Sequence, residues 1–438
     1  MRALVLIVGM LLGLGLTVTQ PFAGVLLWAW FNLQSPHEVV YGMVQSLPLN
    51  LIIAITTLGA LLISRERKLP PVTAVSILMV AFLAWMTFNS FFAYAPDWSW
   101  QFWSRTWKTF LFGLVVAATA TSRERLYALS WVAVISLFYY GVKGGMFTIV
   151  TGGNYHVFGP ADTIIGDNNS LAVALLMVLP LAEFLRGEIK NKWLARGLVL
   201  GMVLTVVAVA GTYSRGAMLG LGALALLMLL RTRKKVIYIA LALIVAIFVL
   251  KFMPSGFFQR MDTIGTASQD ASFNGRLISW RVAALYATDH FPFGAGFYAP
   301  QLAPIYHHYF PHEAVLAAHS IYFQVLGEHG FIGLALYVLL IVAAFLLNLQ
   351  IIRGARKVPE LYWAKDLGVA LQASLLVFCV SGALLSMAYY DLFIVEVGML
   401  IPLSEIVRAR RKKAVSPVKA WTGEGTVEGL STPYPAEI

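Results

Sequence analysis

The sequence has little charge and almost no cysteine. Only 12% of its 438 residues are charged, about half the fraction usual in soluble domains, while 59% are hydrophobic. One soluble core cannot bury that much apolar surface, so the composition excludes a water-soluble globular protein and predicts one that lies in lipid. The single cysteine, Cys379, lies in an apolar run, which excludes an intramolecular disulfide and a cysteine-based metal cluster.

Two further absences restrict the chemistry. The sequence has no Asp-x-Asp pair, which argues against a nucleotide-sugar donor held by a metal ion, and it has no P-loop. His307, His308 and His312 lie close together, but beyond Glu313 no carboxylate or thiol stands at a convincing ligand spacing. We therefore expect neither a metal site nor a cofactor.

Apolar runs are present along nearly the whole chain, and they predict an all-α polytopic membrane protein with about 12 transmembrane helices. The runs are 3–19, 21–35, 47–63, 72–93, 106–120, 127–150, 169–185, 195–212, 216–230, 236–252, 331–349, 367–388 and 391–407. Residues 3–35 are interpreted as one span plus a re-entrant or interfacial piece. This interpretation gives twelve spans and puts both termini on the cytoplasmic side, as the positive charge of Arg2 favours.

Basic clusters follow every second helix and contain most of the 32 Lys and Arg residues. The positive-inside rule makes that face cytoplasmic, so the net charge of +11 reports topology and does not indicate nucleic-acid binding. The opposite face then carries all eight histidines and one large periplasmic loop, residues 253–330. We expect a single transmembrane domain over 1–413, a disordered cytoplasmic tail over 414–438, and function in the large loop.

Thr212-Tyr213-Ser214-Arg215-Gly216 joins two predicted helices with almost no loop. An arginine at that depth needs a partner, and its guanidinium suits the geometry of phosphate. Arg215 is therefore a candidate for binding an anion. The alternative is that its side chain extends to the outer headgroups.

Asn274-Gly275-Arg276 opens a second motif in the large loop. Asn-Gly predicts a turn, and Arg276 would then lie in the first turn of the following helix, where backbone N–H groups favour anions. Arg281, five residues later, is a further candidate for the same anion. A surface arginine on a loop helix is the alternative.

His319 and Ser320 lead into the helix that follows the large loop. A neutral imidazole can accept a proton from a hydroxyl near pH 7, whereas an isolated histidine is more often structural. Glu328 lies nine residues later, on the opposite face of a straight helix. We predict that it is structural, or that it supports the site without contacting substrate.

Lys143 lies near the outer end of an apolar span, in Val142-Lys143-Gly144-Gly145. Its depth makes it a candidate for donor binding, with extension to the headgroups as the alternative. Asp167 is predicted to cap the next span.

The ordered set Ser214-Arg215-Gly216, Gly275-Arg276 with Trp280, and His319-Ser320 with Glu328 and Gly330 resembles the O-antigen ligase and polymerase superfamily. Residues 20–24, 142–145 and 167–169 are more similar to the O-glycosylation ligases that accompany exosortase systems. The resemblance implies a membrane glycosyltransferase of the bacterial inner membrane, with its site facing the periplasm. It also implies a glycan donor on undecaprenyl pyrophosphate, a lipid or protein acceptor, and metal-independent transfer with inversion.

By this resemblance Arg215 and Arg276 bind the pyrophosphate and His319 is the catalytic base; charge placement adds Arg281 and Lys143 to the donor site. The nearest alternative is a polysaccharide polymerase that uses the same donor. Two other classes stay open, a transporter of lipid-linked glycan and a non-catalytic scaffold.

Overall fold

The computed structural model describes residues 2–40, 45, 47–66, 69–231, 243 and 271–415. This part of the chain is 79% helix and contains no strand. Its α-helices, numbered α1 to α14, are Arg2–Thr19, Pro21–Gln34, Leu49–Ile63, Ala74–Ser90, Pro96–Thr119, Arg123–Val150, Asn168–Glu188, Lys192–Gly211, Arg215–Arg231, Ala271–Asp289, Ala303–Tyr309, Ile321–Ala355, Tyr362–Gly382 and Asp391–Val415.

Each predicted apolar run in the described residues overlaps a helix, but α5 begins ten residues before its run, α12 begins ten residues before its run, and α10 and α11 have no predicted run. The predicted span 236–252 lies outside the described residues, apart from residue 243, and so do residues 253–270 of the large loop and 416–438 of the tail. By length and composition, five helical stretches can cross a membrane: Arg123–Val150, Asn168–Glu188, Lys192–Gly211, Ile321–Ala355 and Pro359–Gly382. The count of about 12 spans stays a prediction.

Ion pairs and a cation–π contact gather the basic segments at one end of the bundle, called here the basic end. Arg123 at the start of α6 lies 2.5 Å from Glu188 at the end of α7 and over the ring of Trp363 next to the start of α13. Arg125 pairs with Glu66, which follows α3. The ends of α3 and α7 and the starts of α6 and α13 therefore share one face, as the positive-inside pattern predicts.

The N-terminal hairpin differs from the prediction. Gly13 of α1 faces Leu27 of α2, and Thr17 faces Gly24, so the two helices are antiparallel with their turn at Gln20. The turn lies at the basic end, because Arg125 stacks over Phe22. The start of α1 consequently lies at the opposite end, where the sequence interpretation had not placed Arg2. Small residues pack closely across this hairpin, a contact that topology rules based on charge do not count.

The predicted large loop, residues 253–330, contains helices. α10 and α11 lie within it, and α12 begins at Ile321. The predicted turn at Asn274-Gly275 is wrong, because α10 already begins at Ala271 and Arg276 lies in its second turn. Gly275 makes a close approach to Leu316 instead, so the glycine serves helix packing and the argument from a helix N-terminus does not apply to Arg276.

α12 is broken near its outer end. Gly330 has φ of 67° and ψ of −168°, and a side chain there would overlap the carbonyl of Pro292. The break follows Glu328, so Glu328 lies on the first segment of α12, whereas His319 precedes the N-cap residue Ser320 and lies outside the helix. Irregular backbone of this kind is tolerated at membrane depth where protein surrounds it.

Candidate functional site

The Thr212–Ser214 turn at the end opposite the basic end fixes the position of Arg215. α8 ends at Gly211 and α9 begins at Arg215, as predicted, and Tyr213 between them has a positive φ of 57°. The Tyr213 hydroxyl donates to the Gly153 carbonyl at 2.6 Å, and Asn168 donates from its amide to the Thr212 carbonyl at 2.7 Å. A non-glycine residue keeps such a conformation only where its surroundings determine it, and here two other segments, at Gly153 and Asn168, hold the turn.

α10 brings Arg276 towards the start of α12. Four residues after Arg276, the Trp280 indole donates to the Ala318 carbonyl at 2.6 Å and stacks on Phe323 with ring centroids 4.9 Å apart. Residues four apart lie on one helix face, so Arg276 is on the face that meets residues 318–323. The four-residue spacing therefore places both Arg276 and Trp280 on the side of α10 that packs against the start of α12.

His319 lies directly before α12, in a left-handed conformation with φ of 42°. Burial lowers the pKa of its imidazole below the usual range, and the nearby positive charge of Arg276 lowers it further, while Asp167 raises it. Asp167 also caps α7, as predicted, by accepting from the N–H groups of Asn169 and Ser170 at 2.8 and 3.0 Å. The imidazole is thus mostly neutral near pH 7 and can accept a proton.

Arg215 and Arg276 line one cavity, to which α7, α9, α10 and the end of α13 contribute. Its other polar lining residues include Asn169 and Ser381. The Ser381 hydroxyl is buried and has no hydrogen-bond partner within the described ranges. It occupies the space that a side chain at position 220 would fill, and that position is a glycine. The structure therefore places Arg215 and Arg276 on the lining of one cavity of about 20 Å³, with the imidazole of His319 close enough to Arg276 to respond to its charge.

Two of the predicted residues lie elsewhere. Arg281 is exposed on α10 and does not line the cavity, and Lys143 is exposed on α6. Gly144 and Gly145, the neighbours of Lys143, pack against α8, which turns the lysine outwards. On that face the Lys143 side chain can extend to the lipid headgroups, which is the alternative to donor binding.

Glu328 is buried and holds several segments together. Its Oε1 accepts from the Tyr298 N–H at 3.1 Å and its Oε2 accepts from the Tyr389 hydroxyl at 2.6 Å. Its backbone carbonyl accepts from the Asn89 amide at 2.9 Å. This geometry fits the supporting role predicted for Glu328, because its carboxylate oxygens are engaged by the protein itself.

Sequence reasoning missed Asn169 and Ser381 as lining residues of the cavity. Ser381 stands in an apolar run with no motif around it, so only packing reveals it. Within the described ranges, no group of three or more His, Cys, Asp and Glu side chains is placed to hold a metal ion. In the histidine-rich segment, His307 Nε2 lies 3.2 Å from the Glu313 carbonyl oxygen.

The apolar helices define a class, a multi-pass membrane protein. Residues 200–338 match the family model described as O-antigen ligase, and this segment contains Arg215, Arg276 and His319. Residues 1–190 match a family of unknown function (DUF5935). No curated protein matches the chain. The match over residues 200–338 supports the O-antigen ligase superfamily and, in general terms, a glycosyl-transferring membrane enzyme that acts on lipid-linked glycans.

Proposed function

We propose that the protein transfers a glycan from undecaprenyl pyrophosphate to a hydroxyl group of a lipid or protein acceptor. The observation that carries the proposal is the shared cavity of Arg215 and Arg276 with His319 beside it. Transfer releases a lipid pyrophosphate, whose developing negative charge needs cationic stabilisation. Two guanidinium groups on separate helices can bind its two phosphates from different sides.

The proposed base is His319. The acceptor hydroxyl must lose a proton as its oxygen attacks the anomeric carbon, and a neutral imidazole can take it. Direct attack from the face opposite the leaving pyrophosphate inverts the sugar configuration. Because the two arginines neutralise the leaving group, we propose that no metal ion is needed, and EDTA should leave the rate of transfer unchanged.

The proposed location is the periplasmic face of the bacterial inner membrane. The basic end carries the arginines that the positive-inside rule places in the cytoplasm, and the cavity lies at the other end. A donor with a lipid tail would reach such a cavity from the outer leaflet. The exosortase-associated subgroup remains part of this proposal and rests on the N-terminal motifs alone.

The decisive experiment is transfer in vitro with purified protein, a defined glycan on undecaprenyl pyrophosphate, and candidate lipid and protein acceptors. His319→Ala and His319→Gln should both lower turnover by about 100-fold or more, because neither side chain can act as a base, while donor binding persists. Arg281→Ala and Lys143→Ala, whose side chains lie outside the cavity, serve as controls and should retain activity near that of the wild type.

The acceptor requirement distinguishes ligase from polymerase. If the protein lengthens lipid-linked glycan when no other acceptor is present, the ligase assignment is wrong and the polymerase is correct. If His319→Ala transfers glycan at the wild-type rate, the site itself is wrong. Movement of labelled lipid-linked glycan across proteoliposomes by that variant would instead support a transporter.

A further inference from the structure

A second cavity lies at the basic end, far from the arginine cavity. It is a groove of about 1330 Å³ between the start of α4, the last third of α12 and the end of α14. Nothing in the proposed transfer reaction uses it, because its walls come from the ends of helices that face away from His319. A groove of this size exceeds the usual range for small-molecule pockets, which is about 300–1,000 Å³.

The groove has two chemically different zones. Its upper wall is apolar, and includes Val75 of α4, Ala343 and Leu347 of α12 and Val407 of α14. Its rim is basic, with Arg353, Lys357, Arg408, Arg411 and Lys412 set against one carboxylate, Glu405. Such a combination matches a molecule with a hydrocarbon chain and an anionic head.

Local packing shapes the rim. Arg411 lies along α12 at Gly354, where a Cβ atom would come within 3.3 Å of its Cδ and 3.6 Å of its Nη1. The absence of a side chain at Gly354 lets the arginine stem rest on α12. α4 also begins at the groove, after Thr73, so the positive end of its helix dipole adds to the field.

We propose that this groove binds an anionic phospholipid of the cytoplasmic leaflet, with the phosphate of the headgroup at the basic rim and an acyl chain along the apolar wall. Basic pockets between transmembrane helices on the cytoplasmic side are suited to such headgroups. The apolar wall is what distinguishes this ligand from a soluble phosphate. The inference depends on the topology and is independent of the glycan-transfer proposal.

The test is native mass spectrometry of the full-length protein purified in mild detergent. Phosphatidylglycerol and phosphatidylcholine with identical acyl chains are added in equal amounts. We expect at least a tenfold preference for phosphatidylglycerol. The double variant Arg408→Gln/Arg411→Gln should lose that preference. The matched double variant Arg356→Gln/Arg410→Gln removes the same charge at the same end from residues that do not line the groove, and should keep it.

Two further arms separate the ligand sources. Excess inorganic phosphate should not displace bound phosphatidylglycerol, and Ala343→Phe, which fills the apolar wall, should weaken lipid retention with the rim intact. Equal loss in the two double variants, displacement by inorganic phosphate, or equal binding of the two lipids would each overturn the proposal. Each variant is first compared with the wild type by size-exclusion profile and melting temperature, so that loss of binding is not confused with misfolding.

Discussion

Three ion-paired arginines at the basic end and two arginines that line a cavity at the opposite end stand in different surroundings. At the basic end, three of them have carboxylate partners: Arg123 with Glu188, Arg186 with Glu183, and Arg125 with Glu66. At the opposite end, two helices direct Arg215 and Arg276 into one cavity. Arginines paired with neighbouring carboxylates stabilise helix ends and report topology. Two guanidinium groups that share a cavity match an anionic ligand.

Backbone geometry shows the same contrast. Tyr213 and His319, which flank or form the proposed site, have left-handed φ angles, and Gly330 breaks α12 in its outer third. At the basic end, by comparison, α4 starts with a regular capping box in which Thr73 and Ser76 satisfy each other's N–H groups. Backbone strain costs about 1–3 kcal/mol per residue and persists where function or packing requires it. The strain therefore points to the same end as the arginine cavity.

The largest expected effect comes from removing an arginine that lines the cavity at the end opposite the basic end. Arg215→Ala and Arg276→Ala should each lower turnover about 100-fold or more, the usual cost of losing one donor to a developing negative charge. Arg186→Ala removes an arginine that is paired with Glu183 on its own helix, and should change turnover less than about twofold. Initial rates of glycan transfer at matched protein levels provide the measurement. If the Arg186 variant lost as much turnover as the Arg215 and Arg276 variants, the cavity arginines would have no special role in transfer.

The next effect concerns stability near the site. Glu328→Ala should lower the free energy of unfolding by about 2–4 kcal/mol, because the Tyr298 N–H and the Tyr389 hydroxyl lose their acceptor in a buried place. Glu328→Gln keeps one acceptor oxygen and should lose less. The fraction of protein that stays monodisperse in detergent after heating measures the difference.

If the Glu328 carboxylate bound substrate, its variants would behave differently from those of a carboxylate that only holds the structure together. If Glu328→Ala keeps wild-type thermal stability while donor or acceptor affinity falls, the carboxylate contacts substrate and the supporting role is wrong. Normal stability with normal kinetics would show that the hydrogen bonds to Tyr298 and Tyr389 contribute little.

A smaller effect is expected in the packing between α6 and α8. A Cβ at Gly145 would overlap the backbone carbonyl of Leu204, and backbone cannot move aside as a side chain can. Gly145→Ala should therefore destabilise the protein by about 1–3 kcal/mol. Gly197→Ala on α8 meets nothing within 4 Å and should be neutral or stabilising by less than about 1 kcal/mol. Thermal unfolding of both variants in one detergent compares them, and equal melting temperatures would contradict the packing argument.

Much of the arrangement could be predicted from sequence, because apolar runs and basic clusters report helices and topology directly. The predicted break before Arg215 and the Asp167 cap are local features, and both are present. Local signals failed where packing competes with them. At Asn274-Gly275 a turn signal lies inside α10, since Gly275 packs against Leu316.

The direction in which a side chain points also could not be predicted from the sequence. The depth of Lys143 was predictable, but the face of α6 on which it lies depends on how Gly144 and Gly145 pack. Ser381 offered no motif at all, because a serine in an apolar run is usually satisfied by its own helix. Its position in the arginine cavity follows from the place where α13 ends against α9.

The smallest effect is a shift in pH dependence, and it tests whether His319 belongs with the arginine cavity. A general base acts when neutral, so activity should fall as pH drops through the pKa of His319. Burial and Arg276 lower that pKa, which places the acid limb below the usual range of histidine. Arg276→Gln removes a positive neighbour and should move the acid limb of the residual activity to higher pH.

Asp167→Asn should move the same limb in the opposite direction. Asp167 raises the pKa of His319, so removing its charge lowers that pKa and extends activity to lower pH, while asparagine still caps α7. Arg281→Gln, on the same helix as Arg276 but exposed, should leave the profile unchanged. The profile of kcat/KM against pH reports the free enzyme. Opposite shifts from the Arg276 and Asp167 variants would show that the His319 imidazole titrates under the influence of both charges, whereas a profile that neither variant moves would separate His319 from the step that limits transfer.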